Sequence, residues 1–384
     1  MHICFLTNEY PKKGFPHGGI GTFVKTMAEE LVKNDVKVSV IGINYIAENE
    51  REVLNGVYVY RLKRSGAKGF SWYFNSRAIN KEIKEINKKD PINIIETSEL
   101  GLAFIAKIKN TKYIIRLHGG HHFFAESEQR KINIWKGFQE KKSFKKADGF
   151  IAVSNYVKSH TEKYLSFNNK PLSYINYPVN TVFFAPKESI KEYKNRIVFA
   201  GTVCEKKGIR QLIQSFPFIK KEFPDATLEI YGRDWFFSDG SSYIKMLKEK
   251  EIPHLGIFAK DIFFHGNVSY DEIPKAYSQA AVCVFPSHME TQGLVAPEAM
   301  AMEKVVVFTK LGPGPETIED YKTGLLCNPH DPNDIAEKII WVLSNEENAK
   351  NIGKNARDFV CRKYGLDKIV SQNIDFYFNS IKNK

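Results

Sequence analysis

The chain alternates short apolar runs with segments in which apolar residues recur every three or four positions. The first run, His2–Leu6, leads into a turn containing GGIG and then into TFVKTMAEELVKN, whose apolar residues share one face. RIVFAGTV followed by IRQLIQSFPFIKKEF repeats this order in the second half. Short apolar runs predict buried strands, and the 3.6-residue spacing predicts helices with one buried face. Each half therefore begins with the strand, turn and helix of a Rossmann-like unit.

Ten further apolar runs have the length and composition of strands, and helical patterns separate most of them. They are Val36–Ile43, Val57–Leu62, Ile92–Ile95, Tyr113–Leu117, Gly149–Val153, Thr227–Tyr231, Ile262–His265, Val282–Phe285, Val305–Thr309 and Gly324–Cys327. Strands that alternate with helices favour parallel sheets covered by helices. After Asp331 the pattern is helical throughout. The sequence therefore predicts an α/β protein.

The chain of 384 residues is longer than a single hydrophobic core supports, which predicts two domains. The segment NYPVNTVFFAPKES is rich in turn-forming residues and is the best linker. We therefore predict an N-terminal domain over residues 1–182 and a C-terminal domain over residues 186–366. The helix predicted over residues 367–384 is expected to pack back on the first domain.

The net charge of +12 belongs to the first half of the chain. Residues 1–185 contain 29 Lys and Arg against 17 Asp and Glu, whereas residues 186–384 contain 27 of each. Such an excess favours anionic partners, namely an acidic or phosphorylated acceptor, an anionic lipid surface or nucleic acid. No nucleic-acid motif is recognisable. The basic helix around FQEKKSFKKAD places Trp135, Phe138 and Phe144 on one side, and we expect these rings to pack inward or to rest on lipid headgroups.

Targeting and cysteine patterns predict a cytoplasmic chain. No apolar window reaches 18 residues and the first apolar run is too short for a signal-peptide core, so any membrane contact is expected to be peripheral, on the inner face. The cysteines show neither zinc-site pairs nor a disulfide spacing and are predicted to be reduced and mostly buried. They are Cys4, Cys204, Cys283, Cys327 and Cys361.

The segment 286–332 carries the clearest candidate chemistry. Glu290 follows an apolar strand, and Gly293 begins a turn into a helix that contains Glu298. The amides of Gly293, Leu294 and Val295 at this helix start suit a diphosphate, because they are unpaired donors at the positive end of the helix dipole. Glu298, one turn inside, can accept hydrogen bonds from both hydroxyls of a ribose, as acidic residues do in dinucleotide sites. The competing interpretation is that both carboxylates only stabilise the helix dipole.

These residues carry a resemblance to a family. The E-x7-E spacing of Glu290 and Glu298, with Pro286, Ser287, Gly293, Leu294, Val295 and EAMA around it, resembles retaining glycosyltransferase family 4. The segments GGIG, KKADGFIAVSNYVK, NYPVNTVFF, AGTVCEKKG and FHGNVSYDEIPKAYSQAAVCVFPS resemble family segments in the same order. The resemblance implies a GT-B fold, in which two Rossmann-like domains with parallel sheets face each other across a cleft. It also implies that the C-terminal domain holds the nucleotide-sugar donor and the N-terminal domain lies on the acceptor side.

When the family's functional residues are carried over to the matching positions of this chain, the resemblance implies a catalytic set and a donor-binding set. The catalytic set is His118, Lys207 and Glu290, with His118 beside the donor sugar and Lys207 on the donor phosphates. The donor-binding set is Gly18, Gly19, Gly21, Thr202, Lys207, Gly266, Val268, Gly293, Leu294, Val295 and Glu298. Thr202 stands where many members carry arginine, so Arg233 or Arg116 is a candidate for the missing phosphate charge. Gln292 stands where phenylalanine is common.

The function implied is transfer of a hexose-type sugar from a UDP- or GDP-linked donor to a glycan, lipid-linked or other hydroxyl acceptor with retention, in polysaccharide or glycoconjugate assembly. The chain contains no Asp-x-Asp, so no metal and no cofactor are expected. The alternatives are a sugar-nucleotide-binding protein without transfer activity, or a GT-B epimerase or phosphorylase. An NAD-dependent oxidoreductase is disfavoured, because GGIGTF does not fit G-x-G-x-x-G.

Overall fold

The computed structural model describes residues 1–15, 17–128 and 130–382. The chain forms two compact units. Unit 1 comprises Met1–Pro178 and Asp367–Lys384, and unit 2 comprises Val179–Leu366. The first unit is therefore built from two separate stretches of sequence, and the second is one continuous stretch.

Unit 1 is built on an eight-stranded sheet with the order β3-β4-β2-β1-β5-β6-β7-β8. Its strands are β1 His2–Leu6, β2 Lys37–Ile43, β3 Glu50–Leu54, β4 Val57–Leu62, β5 Ile94–Thr97, β6 Lys112–Leu117, β7 Gly149–Ala152 and β8 Leu172–Tyr174. All neighbouring strands run parallel except β3 and β4, which are antiparallel. Its helices are α1 Gly19–Lys33, α2 Ser71–Lys89, α3 His121–Ser127, α4 Ile134–Lys146, α5 Asn155–Glu162 and, from the second stretch, α13, which the structure records as Leu366–Lys382.

Unit 2 is built on a six-stranded parallel sheet with the order β11-β10-β9-β12-β13-β14. Its strands are β9 Arg196–Ala200, β10 Thr227–Tyr231, β11 Ile262–Gly266, β12 Val282–Phe285, β13 Val306–Thr309 and β14 Leu325–Cys327. Its helices are α6 Ile209–Glu222, α7 Tyr243–Lys250, α8 Ile273–Ser278, α9 Val295–Ala301, α10 Gly314–Thr317, α11 Pro332–Ser344 and α12 Glu346–Tyr364. The central strands are buried on both faces, as continuous apolar runs require.

The prediction of an α/β protein with two mainly parallel sheets is confirmed. Every strand predicted from an apolar run is present, with bounds that shift by at most two residues at either end. Two strands, β3 and β8, were not predicted. Both lie at sheet edges, and β3 is mostly exposed, so neither shows the apolar pattern on which the predictions rest. All five cysteines are free thiols, and only Cys361 is exposed.

A buried polar network attaches α13 to the sheet of unit 1. Arg116 on β6 is fully buried and forms a two-point ion pair with Glu96 on β5, at 2.7 and 3.1 Å. Asn373 and Tyr377 of α13 extend the network: Arg116 donates to Asn373 Oδ1, and Tyr377 Oη donates to Glu96 Oε2 at 2.6 Å. A buried ion pair costs less when its remaining donors and acceptors have partners, and α13 supplies two of these partners, although Arg116 Nη1 has none among the described residues.

Replacing Asn373 by leucine is expected to lower the free energy of unfolding by about 1–3 kcal/mol, because a buried guanidinium loses an acceptor while the packing volume is kept. Asn379→Leu is the matched control, since Asn379 is exposed on the same helix. Urea unfolding measures both. Equal losses in the two variants would contradict a specific role for the network.

Helix α4 departs in part from the sequence expectation. Of the three rings expected to pack inward or to rest on lipid headgroups, Phe144 is buried, whereas Trp135 and Phe138 are 43% and 50% exposed. Inward packing is therefore confirmed for the last turn of the helix only, and contact of the first two turns with lipid headgroups stays a prediction. The reason is that α4 contacts the body of unit 1 through Phe144, Ser143, Glu140 and Gly137.

Candidate functional site

The strand order of unit 2 defines where a ligand binds. From β9 the chain moves outward through β10 and β11, and then returns to the opposite side of β9 to add β12, β13 and β14. Open parallel sheets bind ligands beyond the carboxyl ends of the strands at such a reversal, which here lies between β9 and β12. The segments following these two strands contain Thr202, Lys207, Glu290 and Gly293. The topology therefore gathers the candidates of unit 2 at one edge of the sheet.

Lys207 and Glu290 form an ion pair at this edge. Lys207 ends a single 3₁₀ turn, Glu205–Lys207, and its Nζ donates to Glu290 Oε1. Ser287 Oγ donates to the same carboxylate oxygen at 2.8 Å. The lysine side chain keeps 22% of its surface exposed, so its ammonium group is held at the rim of the protein and remains accessible to an anion.

Glu298 lies one turn inside α9 and is buried. Tyr270 Oη donates to Glu298 Oε1 at 3.0 Å, and the Tyr270 ring stacks on Phe183 with centroids 5.3 Å apart. Burial raises the pKa of Glu298 to about 8. Sequence reasoning missed Tyr270, which stands in the FHGNVSYDEI run 28 residues before its partner. No local pattern signals such a pair.

The turn before α9 depends on Gly293. Its φ is +81°, and a Cβ at this position would come within 2.9 Å of the Phe308 ring. Leu294 is the N-cap of α9 and Val295 is its first residue, so the three candidate amides lie together at the helix start. The left-handed turn at Gly293 thus precedes a helix start that follows β12, at the same edge of the sheet as Lys207.

The two candidate arginines have different environments. Arg233 is exposed, and its Nε donates to Thr202 Oγ1 at 3.4 Å, so it lies beside Thr202 and stays a candidate for the phosphate charge. Arg116 is fully buried in unit 1 and committed to Glu96. The hypothesis that Arg116 supplies phosphate charge is therefore wrong. Gly266 ends β11 and Val268 follows it at the carboxyl end of the sheet, where the Gly266 carbonyl accepts from Gly232 N at 2.8 Å.

Unit 1 has its own strand reversal between β1 and β5. A cavity of about 280 Å³ lies at the carboxyl ends of these strands. Its lining is mixed: Asn8, Glu9 and Ser98 are polar, whereas Ile79, Leu100 and Ile105 are apolar. His118 also contributes to the wall. The cavity can therefore hold a small ligand that has both hydroxyl groups and an apolar part.

His118, at the end of β6, is buried and neutral. Burial and the Arg116 charge lower its pKa to about 3. Its Nδ1 hydrogen-bonds Tyr177 Oη at 2.5 Å, and its ring lies 5.6 Å from the Tyr177 ring in a stacked arrangement. A neutral imidazole held in this way can exchange hydrogen bonds with a hydroxyl through Nε2 but carries no charge for acid catalysis near neutral pH.

The three glycines predicted to approach donor phosphates have different surroundings. Gly18 N donates to Glu9 Oε2 at 3.1 Å, and Gly19 has open space where a side chain would be. Gly21 is buried, and a Cβ there would come 2.1 Å from the Glu9 carbonyl oxygen. Gly21 is therefore required by packing of α1 against the segment after β1, and the approach of Gly18 and Gly19 to the donor phosphates stays a prediction.

Two buried carboxyl groups support the segment after His118. Gly119 N donates to Glu99 Oε1 at 2.8 Å, and Glu140 on α4 accepts from the backbone nitrogens of His121 and His122. Burial raises the pKa of Glu99 to about 8. Sequence reasoning missed both residues. Glu140 lies in the lysine-rich FQEKK run, where a carboxylate is usually solvated.

The part of the chain that the structure describes contains neither a metal-binding cluster nor a membrane-spanning helix. No group of three or more His, Cys, Asp or Glu residues among residues 1–15, 17–128 and 130–382 could hold a metal ion. Within the same residues, no helix combines the length and apolar character needed to cross a membrane.

Comparison with known proteins gives matches over nearly the whole chain. Residues 17–183 match the family model described as Glycosyltransferase Family 4, and residues 182–359 match the one described as Glycosyl transferases group 1. An uncharacterized glycosyltransferase of Methanocaldococcus jannaschii is 28% identical over 98% of both chains.

Solved structures share the fold. Sucrose-phosphate synthase from Thermosynechococcus elongatus is 20% identical, with 98% of each chain covered and a TM-score of 0.86. Anabaena HepE in complex with UDP-glucose is 16% identical, with 99% of this chain and 100% of that chain covered and a TM-score of 0.80. At these identities the likeness shows the GT-B fold alone. Because the two family models together span residues 17–359, the chain belongs to the group 1 glycosyltransferases of the family 4 type.

Proposed function

We propose that the protein transfers a hexose-type sugar from a UDP- or GDP-sugar to a hydroxyl acceptor, with retention at the anomeric carbon and without a divalent metal. The observation that carries this proposal is the convergence of Lys207, Glu290 and Glu298 at the strand reversal of unit 2. The shared fold with a protein bound to UDP-glucose supports a nucleotide-sugar donor.

In this proposal each group of unit 2 meets one part of the donor. Glu298 accepts hydrogen bonds from the ribose hydroxyls, and the amides of Gly293, Leu294 and Val295 donate to the diphosphate. Lys207 gives up part of its contact with Glu290 and neutralises charge on the departing phosphate. Fixed positive groups placed where charge develops lower the barrier without a metal.

The proposed reaction replaces one bond at the anomeric carbon by another on the same face. The bond from the anomeric carbon to the phosphate oxygen breaks, and the acceptor oxygen bonds to that carbon. The acceptor proton passes to the departing phosphate oxygen, and a nucleoside diphosphate leaves. Glu290 lies toward the sugar, and His118 hydrogen-bonds a sugar hydroxyl; neither is assigned as a nucleophile.

The acceptor is proposed to bind unit 1. The 280 Å³ cavity at its strand reversal offers hydroxyl-binding and apolar walls. Unit 1 also carries the basic excess, with 32 Lys and Arg against 19 Asp and Glu. A glycan or lipid-linked acceptor with acidic groups fits both features, which supports a role in polysaccharide or glycoconjugate assembly at the inner face of a membrane.

The direct test is nucleotide release from a panel of UDP- and GDP-sugars with and without EDTA. We expect one donor to be consumed at a rate that EDTA leaves unchanged, because Lys207 and backbone amides replace the metal. The anomeric configuration of the product, read by NMR, tests retention. Release that stops in EDTA and returns with Mg²⁺ or Mn²⁺ would contradict metal independence, and tight UDP or GDP binding without turnover on any acceptor would favour a binding protein.

A further inference from the structure

A group of large apolar side chains, most of them aromatic, lies at the surface of unit 1, with five of them exposed and Trp72 and Phe104 half-buried. We call it the aromatic patch and define it by residues at the start of α2, in the segment after β5 and in the first two turns of α4. It consists of Trp72, Tyr73, Phe74, Phe104, Ile134, Trp135 and Phe138. Soluble proteins seldom leave so many large apolar side chains together in water, and such a patch indicates an interaction surface.

Ring contacts make the patch one surface. The Trp72 ring lies 4.5 Å from Phe104 and 5.2 Å from Trp135, and Trp135 is stacked 5.8 Å from Phe138. At its margin Ile134 is 89% exposed. Contacts between the rings hold them in place while the exposed rings keep part of their surface in solvent, so the surface exists without a bound partner.

The segments that carry the patch are strongly basic. Residues 63–77, 104–112 and 130–146 contain fourteen Lys and Arg residues and a single acidic residue, Glu140, which is buried. Two of the cations are neutralised by neighbours, Arg130 by Glu128 and Lys107 by Asp148. Lys142 lies directly over the Phe104 ring, with its Nζ 4.5 Å from the centroid. Its Nζ also lies 5.9 Å from the Phe138 centroid, and the exposed Lys136 and Lys141 stand beside Phe138 on α4, so these three lysines border the apolar surface.

The patch adjoins the cavity of unit 1. Helix α2 starts after β4, and α4 follows β6 and α3, so both aromatic turns lie toward the carboxyl edge of the sheet. Phe104 is followed directly by Ile105, and α2 supplies Ile79; both isoleucines line the cavity. A molecule held by the patch would therefore be near the cavity entrance.

We propose that the aromatic patch docks unit 1 on an anionic lipid bilayer. Docking would bring a lipid-carried acceptor to the cavity, and this consequence rests on the proposed function. Trp, Tyr and Phe rings favour the interfacial layer of a bilayer, and lysines around them attract anionic headgroups. The 89% exposed Ile134 gains from acyl chains and offers nothing to a base or a phosphate. A second copy of the chain fits poorly, because it would place two basic borders face to face.

Vesicle flotation tests the docking without any donor sugar. Its result therefore does not depend on whether the protein shows sugar transfer. We expect the wild-type protein to float with vesicles of phosphatidylglycerol and phosphatidylcholine, and to do so less as salt is added. Ile134→Ser/Phe138→Ser should weaken partitioning by about tenfold, because two interfacial apolar side chains are lost. Lys136→Glu/Lys141→Glu should weaken it by about tenfold or more on the anionic vesicles.

The matched control is Ile257→Ser/Phe218→Ser in unit 2, which removes an isoleucine that is 79% exposed and a helical phenylalanine that is 39% exposed. This control should float like the wild type, and all variants should keep the wild-type melting temperature. Absence of the wild-type protein from the anionic vesicle fraction would overturn the proposal. An equal loss of vesicle binding in the control variant would also overturn it. The same holds if the patch variants bind vesicles like the wild type and instead convert a dimer into a monomer in sedimentation.

Discussion

Replacing Glu298 by alanine is expected to lower kcat/KM for the nucleotide-sugar donor by about 100- to 1,000-fold. The reason is that two hydrogen bonds to the ribose are lost. Each bond to an ionised group contributes about 1.5–3 kcal/mol, and ionising a carboxyl group of raised pKa offsets about 1.4 kcal/mol of that total near neutral pH, which leaves a net loss of about 3–4 kcal/mol. The Tyr270 hydroxyl, which donates to Glu298 at 3.0 Å, also loses its acceptor. Steady-state nucleotide release and calorimetric titration with UDP and GDP measure the effect. Glu337→Ala, at an exposed position of α11, is the control and should retain activity.

Donor binding should also depend on pH through Glu298. Because burial raises its pKa to about 8, the carboxyl group is mostly protonated at neutral pH in the free protein. The ionised form accepts both ribose hydroxyls, so the donor KM should fall as the pH rises through about 8. Folding favours the protonated form, because the pKa is raised from 4.5 to about 8, so this contribution to stability is fully present below pH 4.5 and is lost as the pH rises from there to about 8. Glu298→Gln should remove the pH dependence of KM; a KM in the wild type that rises with pH would contradict this role.

Replacing Lys207 by alanine is expected to reduce kcat by about 100-fold or more, because a positive group placed at the leaving phosphate acts mainly in the transition state. In the free protein the same change leaves Glu290 without its cation. Double replacement with Glu290→Gln separates the two effects, since loss of the pair alone would be relieved in the double variant. Single-turnover nucleotide release measures the chemical step.

Lys206→Ala is the matched control for Lys207, because it removes the same charge from the adjacent residue. We expect it to change kcat by no more than about threefold, since a charge in high-dielectric surroundings has a weak effect at longer range. Similar losses in both variants would mean that the basic segment acts through its overall charge, and a specific contact of Lys207 with phosphate would be contradicted.

The fold was predictable wherever burial leaves a continuous apolar run. Central strands such as Val282–Phe285 are buried on both faces and stand out in the sequence. Edge strand β3 has the sequence EREVL and is mostly exposed, so it lacks both the apolar run and a clear alternation. Its partner β4 follows across the two-residue turn Asn55–Gly56, in which both residues have positive φ. Asn-Gly is a hairpin signal, so the turn was readable from the sequence and was missed, whereas the strand itself was not readable.

The candidate site was predictable as a set of strand ends but not as a set of contacts. Lys207 and Glu290 are 83 residues apart, and only the parallel order of β9 and β12 brings them together. Arg116 shows the opposite problem, because a charged residue at the end of a strand suggests a site until its burial against Glu96 is seen. A charged residue in an apolar segment indicates that its side chain pairs with an opposite charge. Only the fold shows whether that charge belongs to a ligand or to another residue of the protein.

The return of α13 to unit 1 has a consequence for how the chain folds during synthesis. Domains generally fold as units while the chain emerges from the N-terminus. Residues 179–366 form one continuous stretch and can complete their core first, although they are made second. In unit 1 the Arg116–Glu96 pair lacks Asn373 and Tyr377 until α13 has left the ribosome. Unit 1 is therefore synthesised first and completed last, and a chain cut short after unit 2 would leave it without α13.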